Sequence, residues 1–213
     1  MSNSEKQHWE NVYGTKAEDD VSWFQTYPKT SMDFVESLPV DLSVNIIDIG
    51  GGDSRLVDAL LDKGYQNIWV LDISAASIEK AKKRLGADAA KKVHWVVSDI
   101  TEFTPPVKYH VWHDRAAFHF LTTEDKIARY VTIAGEAIDT GGYFILGTFS
   151  ENGPTKCSGL EIKQYSESAM VTRFAHYFEK LRCITEDHQT PFGTVQNFTF
   201  CSFKRRYDVD NIE

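Results

Sequence analysis

The residues best placed to do chemistry fall in two short stretches. The first reads Ile46-Ile-Asp-Ile-Gly-Gly-Gly-Asp-Ser54, and the second, Val70-Leu-Asp-Ile-Ser74, puts Asp72 twenty positions beyond Gly52. A glycine turn lets backbone approach a ligand closely, and one carboxylate ending the second strand can accept hydrogen bonds from both hydroxyls of a ribose. Each such charge-assisted bond contributes about 1.5–3 kcal/mol. The same acid can equally cap the helix that follows, although Ser74 already offers a cap. A dinucleotide fingerprint needs a small residue three positions after its second glycine; here that position is Arg55, which does not fit the packing role. No Lys-Ser or Lys-Thr pair follows the turn to hold a triphosphate.

Further candidates end later strand-like runs. Ser98-Asp99-Ile100 follows one of them, with Asp99 either facing a ligand or sitting in an ordinary solvated turn. Tyr109-His-Val-Trp-His-Asp-Arg-Ala-Ala-Phe-His-Phe-Leu121 brings His113, Asp114, Arg115 and His119 together. His110, His113 and His119 fit no common zinc spacing, so no metal site is expected. Asp114 can orient or deprotonate a nucleophile, or it can pair with Arg115 or cap the next turn; His119 can be a core histidine.

These residues need strands that end together, and the pattern supplies them. Continuous apolar strands are expected at 44–49, 68–71, 93–97, 109–113 and, after a Gly141-Gly142 turn, 143–149. Helical faces alternate with them: Leu56, Val57, Leu60 and Leu61 stopping at Gly64; Ile78, Ala81 and Leu85; then Ile127 through Ala137 and Ile138, opened by a capping-box-like Thr122-Thr-Glu-Asp125. A helix over 167–178 precedes two strand-like runs, 181–188 and 198–203, whose joint at Pro191-Phe-Gly-Thr194 is too short for a crossover helix; that pair is expected antiparallel.

Strand, Asp-x-Gly-x-Gly turn and later acid resemble motifs I and II of the class I S-adenosylmethionine-dependent methyltransferases. The resemblance covers roughly residues 40–206, with Gly51 where the family more often has Cys or Ser. In that family the turn passes the amino-acid half of the cofactor, so the third glycine is not needed. The fold implied is a Rossmann-like, doubly wound α/β sheet of seven strands, mostly parallel with an antiparallel C-terminal strand. The chain is read as one methyltransferase domain, 1–213, with an N-terminal helical, aromatic lid segment (1–40) and a cofactor-binding core (41–206). The resemblance implies that S-adenosylmethionine is held by Asp48, Gly50, Gly51, Gly52, Asp72, Ile73, Ser74, Asp99, Ile100 and Asp114. Asp48 would lie near its amino-acid end, Ile73 and Asp99 at the adenine, and Asp114 beside the transferred methyl. The stretch at 109–121 resembles motif IV, with His110 replacing the usual Asp. Asp114 and His113 are the catalytic candidates, and Trp23, Arg115, His119 and Tyr165 the substrate-side ones.

Composition sets limits. The 213 residues carry a formal net charge of −8, which argues against broad nucleic-acid or anionic-membrane binding. The basic run Lys204-Arg205-Arg206 reads as a solvated terminus. No apolar core of signal-peptide length and no membrane-length stretch appears, and three cysteines lack metal spacing, so a cytoplasmic protein is expected. The acceptor is expected to be a small molecule or a protein side chain, and the protein a monomer or homodimer. Rival readings are a non-catalytic cofactor-binding or partner-binding module and, against Arg55 and the antiparallel ending, an NAD-dependent oxidoreductase. Two segments are candidates for the substrate side. One is the aromatic N-terminal stretch, a lid or a helix packed on the sheet edge; the other is the polar loop 150–159 with Cys157.

Overall fold

The computed structural model describes residues 3–207. Its centre is β1 (Asn45–Ile49), where Ile46, Ile47 and Ile49 are buried because the strand has parallel neighbours and covered faces on both sides. β2 (Asn67–Asp72) and β4 (Tyr109–Arg115) flank it, so that Asp48 lies level with Val70 on one side and His113 on the other. β3 (Val93–Val97) forms the far edge beyond β2, and β5 (Ile138–Phe149) continues the sheet beyond β4. A small hairpin, β6 (Lys156–Cys157) with β7 (Leu160–Glu161), stands apart. β8 (Phe178–Gln189) and β9 (Val195–Arg205) complete the seven-stranded order β3-β2-β1-β4-β5-β9-β8, with β9 antiparallel to both neighbours. This is the expected α/β, Rossmann-like sheet. The strand order reverses between β1 and β4, and a ligand crevice opens at such a point.

Helices cover both faces. α1 (Asn3–Thr15) and α2 (Lys29–Glu36) precede the sheet. α3 (Leu56–Asp62) ends before Gly64, whose φ of +87° suits a glycine stop. α4 (Ala75–Leu85) opens where the Ser74 hydroxyl accepts from the Ser77 N–H, and the short α5 (Ala87–Ala90) follows it. α6 (Glu124–Ala137) and α7 (Glu167–Phe174) lie on the face lined by Trp112, Phe144 and Phe203, whereas α2 and α3 pack Phe34, Val35, Leu56 and Leu60 against Ile46, Val70 and Phe200 on the other.

Several local expectations change. Thr123 caps α6 without a side-chain bond, and because the third helical position is Lys126, a cation paired with Glu5, no acid reaches back to the Thr123 N–H either. Ile138 and Phe178, expected on helical faces, open β5 and β8 instead. Gly141-Gly142 does not break the chain into a turn; Gly141 takes φ +77° inside β5, and the register against β4 shifts there. Cys183 and Cys201 lie level across β8 and β9 and form a disulfide, a pairing the sequence reading did not anticipate. Nor is the basic run solvated throughout: Arg206 is exposed, but Arg205 is buried, donates to the Gly135 carbonyl and lies over the Tyr177 ring. Among the described residues no helix is long and apolar enough to cross a membrane.

Candidate functional site

The glycine turn takes its shape from what surrounds it. Gly50 and Gly52 have φ of +65° and +38°, a region that L side chains rarely adopt. A Cβ at Gly50 would come within 2.6 Å of Ala117 Cβ, and one at Gly52 within 2.6 Å of Asp72 Oδ2. Gly51 donates its N–H to Leu71 O, tying the turn to β2, and a Cβ there would meet the Asp48 carboxylate. Gly52 therefore does not line the cleft; it makes room for the acid that does.

Asp72 accepts from the Ser74 N–H at 2.8 Å, so it caps the backbone after β2 as well as facing the cleft. Burial pushes its pKa up to about 7, the sign of a carboxylate with too few donors. Around it opens a cleft of about 780 Å³, whose wall includes Leu71, Ile73, Ser98 and Ile100. A donor-poor carboxylate for ribose hydroxyls, with apolar Ile73 and Ile100 beside it, fits the adenosine half of the cofactor implied by the sequence. Two expected contacts are absent from this wall. The Ser74 hydroxyl donates to Glu10 and accepts from Ser77, so it is consumed in capping α4. Asp99 is turned onto Thr101, bonding its N–H and hydroxyl at 2.8 and 2.9 Å, and leaves the wall to its neighbours Ser98 and Ile100.

A second cleft, about 720 Å³, lies on the other side of Gly50. At its floor His113 is clamped between two partners: Nδ1 lies 2.7 Å from Asp48 Oδ1, and Nε2 lies 2.9 Å from Ser31 Oγ. All three side chains are buried. Such a chain fixes the ring and leaves Asp48 with a defined orientation beneath Gly51. Ser31 belongs to α2, 82 residues from His113, and no spacing in the sequence pointed to it.

Asp114 is a correction. Its Oδ1 accepts from the N–H groups of Ala117 and Phe118, and its Oδ2 accepts from Tyr130 OH at 2.6 Å. It is fully buried and lines neither cleft, and burial pushes its pKa up to about 6. The turn after β4 needs an acceptor for its N–H groups, and this acid is used up supplying it; of the readings considered, capping is the one realised. His119 and Tyr165 are core residues as well. The His119 ring packs between Phe120 and Phe149, and burial lowers its pKa to about 3, so it is neutral. Tyr165 is buried against Phe118.

Trp23 and Arg115, in contrast, line both clefts. Trp23 belongs to an N-terminal stretch folded over the strand ends, where Trp9 packs edge-on against Trp23 and Phe120. Glu10 accepts from the N–H groups of Ala75 and Ala76 at the start of α4, a position favoured for an anion. Glu18 takes a two-pronged bond from Arg55, at 2.7 and 2.8 Å, with Arg84 beside it. Arg55 thus occupies the failed third-glycine position because it anchors this stretch. Sequence reasoning missed Glu10, Glu18, Ser31, Phe149 and Phe198; the run of N-terminal aromatics was the sole signal for the region.

A family model for a methyltransferase domain matches residues 46–142. The eEF1A lysine and N-terminal methyltransferase of Mus musculus is 24% identical over 147 residues, which are 65% of this chain and 20% of that protein. The chain therefore spans about a fifth of the length of that curated relative. A solved structure concerned with conversion of a disulfide bond into a thioacetal group during echinomycin biosynthesis superposes with TM-score 0.78 at 15% identity, covering 96% of this chain and 94% of that one. The N-methyltransferase NodS from Bradyrhizobium japonicum WM9, in complex with S-adenosyl-L-homocysteine, superposes with TM-score 0.67 at 14% identity, covering 95% and 98%.

Proposed function

We propose that this chain, which belongs to the class I S-adenosylmethionine-dependent methyltransferase family, transfers a methyl group from S-adenosylmethionine to a nucleophile on a small molecule or a protein side chain. The observation that carries this reading is Asp72, a buried, donor-poor carboxylate at the end of β2 that faces the cleft where Gly52 leaves it room. When bound, the cofactor supplies an electrophilic methyl on a sulfonium, whose positive charge makes the leaving group good.

The chain's own residues bind and orient. Asp72 takes the ribose hydroxyls, Ile73 and Ile100 flank the adenine, and the backbone of Gly50 and Gly51 allows close approach along the amino-acid half. Asp48, held by His113 and through it by Ser31, faces that half as a fixed carboxylate. Asp114 and Tyr130 hold the turn at Ala117 and Phe118 rigid beside Gly50 rather than moving a proton. The acceptor then has to arrive with a free lone pair: a thiolate, a neutral amine, or a hydroxyl whose proton leaves to water. Alignment alone supplies much of the rate, since effective molarities for well-oriented groups reach about 10⁵–10⁸ M. The stretch 9–28 acts as a lid that excludes water. The protein is taken to act as a monomer or homodimer.

Calorimetry with S-adenosylhomocysteine and with NAD tests the binding half: micromolar affinity for the first and none for the second is expected. Transfer of label from methyl-labelled cofactor into fractionated cell extract tests catalysis. Binding without transfer into any fraction would leave a non-catalytic module.

A further inference from the structure

The cofactor reading does not use the guanidinium of Arg115, which lines the cleft. Its Nη1 donates to the Trp23 carbonyl at 3.0 Å, while Nε and Nη2 are sealed from solvent without a partner. Among the described residues no carboxylate lies within ion-pair distance of it; Asp48 and Glu186 act on it only from farther away. Burial lowers its pKa to about 10, which still leaves it cationic at neutral pH. A buried cation without a counter-charge is costly, and proteins normally pair one. The two unpartnered donors are the adjacent pair along one edge of the fork, the geometry that takes a carboxylate side-on through two parallel bonds.

Direction decides which carboxylate. The guanidinium carbon lies 5.1 Å from the centre of the Phe198 ring on β9. β9 lies beyond β5, whereas Asp72 ends β2 on the opposite side of β1. Arg115 therefore reaches away from the adenosine half, toward a wall of Phe120, Phe149, Phe198 and Cys157. Burial pushes the Cys157 thiol up to about 12 and leaves His119 neutral, so neither changes the charge of this wall at neutral pH. The wall is apolar except for one fixed cation.

We propose that the methyl acceptor is a largely apolar small molecule bearing a carboxylate, and that Arg115 receives that carboxylate side-on between Trp23 and Phe198. The proposal rests on the methyltransferase reading above and narrows its acceptor class. A lysine side chain brings no carboxylate, so it would leave this cation without a counter-charge.

The test uses the full chain saturated with S-adenosylhomocysteine and titrated with aromatic acids and their matched amides, such as indole-3-acetate with indole-3-acetamide and benzoate with benzamide. At least one acid should bind tenfold or more tighter than its amide. Arg115→Gln should abolish that preference while its affinity for S-adenosylhomocysteine stays within twofold. Arg115→Lys, which keeps the charge but loses the fork, should retain an intermediate preference and guards against a variant that merely fails to fold. Three outcomes overturn the proposal. The first is no preference for the acids over their amides, and the second is a lysine peptide that competes better than any acid. The third is a tenfold loss of S-adenosylhomocysteine affinity in Arg115→Gln with none for methylthioadenosine, which would assign Arg115 to the cofactor's own carboxylate. Failure of the unmodified protein to bind S-adenosylhomocysteine is a different result; it removes the methyltransferase reading itself.

Discussion

The two sides of the glycine turn are assembled in opposite ways. Toward β2 and β3, Gly50, Gly52, Asp72, Ile73 and Ile100 come from strand ends and the turns that follow them, so local chain geometry positions each one. Toward β5 and β9, Trp23, Arg115, Phe149, Cys157 and Phe198 come from five separate segments and meet only because the sheet and the N-terminal stretch bring them together. The first side is built to hold one ligand that many proteins share, and the second has freedom to differ. If that contrast is right, damage to the first side should abolish cofactor binding, and damage to the second should leave it largely intact.

The largest effect is expected at Gly52. Gly52→Val adds a branched side chain where a Cβ alone would lie 2.6 Å from Asp72 Oδ2, at a φ of +38°. Strain of about 1–3 kcal/mol and displacement of the acid combine, so S-adenosylhomocysteine affinity should fall about 100-fold or more. Calorimetry alongside a circular dichroism melt checks this; a variant that folds and binds normally would mean that the turn does not shape the site. Asp72→Ala tests the same side more gently. Loss of the bonds to the ribose should cost about 2 kcal/mol, roughly 30-fold in Kd. Unchanged affinity would mean that this acid only caps the backbone.

Legibility followed the same division. The sheet, its antiparallel ending and the placement of an acid at the end of β2 were readable because apolar runs, glycines and strand-end polar residues act within a few positions of one another. Ser74, Asp99 and Asp114 take on local bonds that spacing alone did not show, for a common reason. Each sits in a turn whose own N–H groups need an acceptor, and in the folded chain that local demand takes the side chain first. Whether a turn carboxylate faces a ligand or its own backbone depends on a rotamer, which spacing does not encode. Arg55 shows the reverse case: its misfit with a dinucleotide turn was visible, but its partner Glu18 was not, since nothing local connects a loop residue with one 37 positions on.

The pH dependence of binding sharpens the first side further. Asp72 titrates near 7 in the folded protein, raised by burial from an ordinary value near 4. In the ligand-free protein its contribution to stability is fully present below that ordinary value and is lost as pH rises through 7. Ribose hydroxyls donate to the ionised form, so binding should tighten with pH, by up to about tenfold between pH 6 and 8, and then level off. Asp72→Asn should give a flatter profile. A wild-type profile without inflection near 7 would separate the acid from the ligand.

The smallest effect is expected where the two sides meet, at the anchors of the N-terminal stretch. Arg55 and Glu18 are each about one-third exposed, at 33% and 30%, so solvent and salt screen their attraction. Such a pair contributes about 0.2–1 kcal/mol, which predicts that Glu18→Ala opens the stretch only slightly and speeds S-adenosylhomocysteine release by about fivefold at most. Trp9 and Trp23 line the cleft, so stopped-flow tryptophan fluorescence can follow release directly. High salt should shrink the difference between Glu18→Ala and wild type, because both then lack the attraction. Glu10→Ala should add to Glu18→Ala rather than repeat it, since Glu10 holds the start of α4 and Glu18 holds Arg55 and Arg84. Equal release rates in all three proteins would make the stretch a static wall, and the contrast between the two sides would then rest on the strand ends alone.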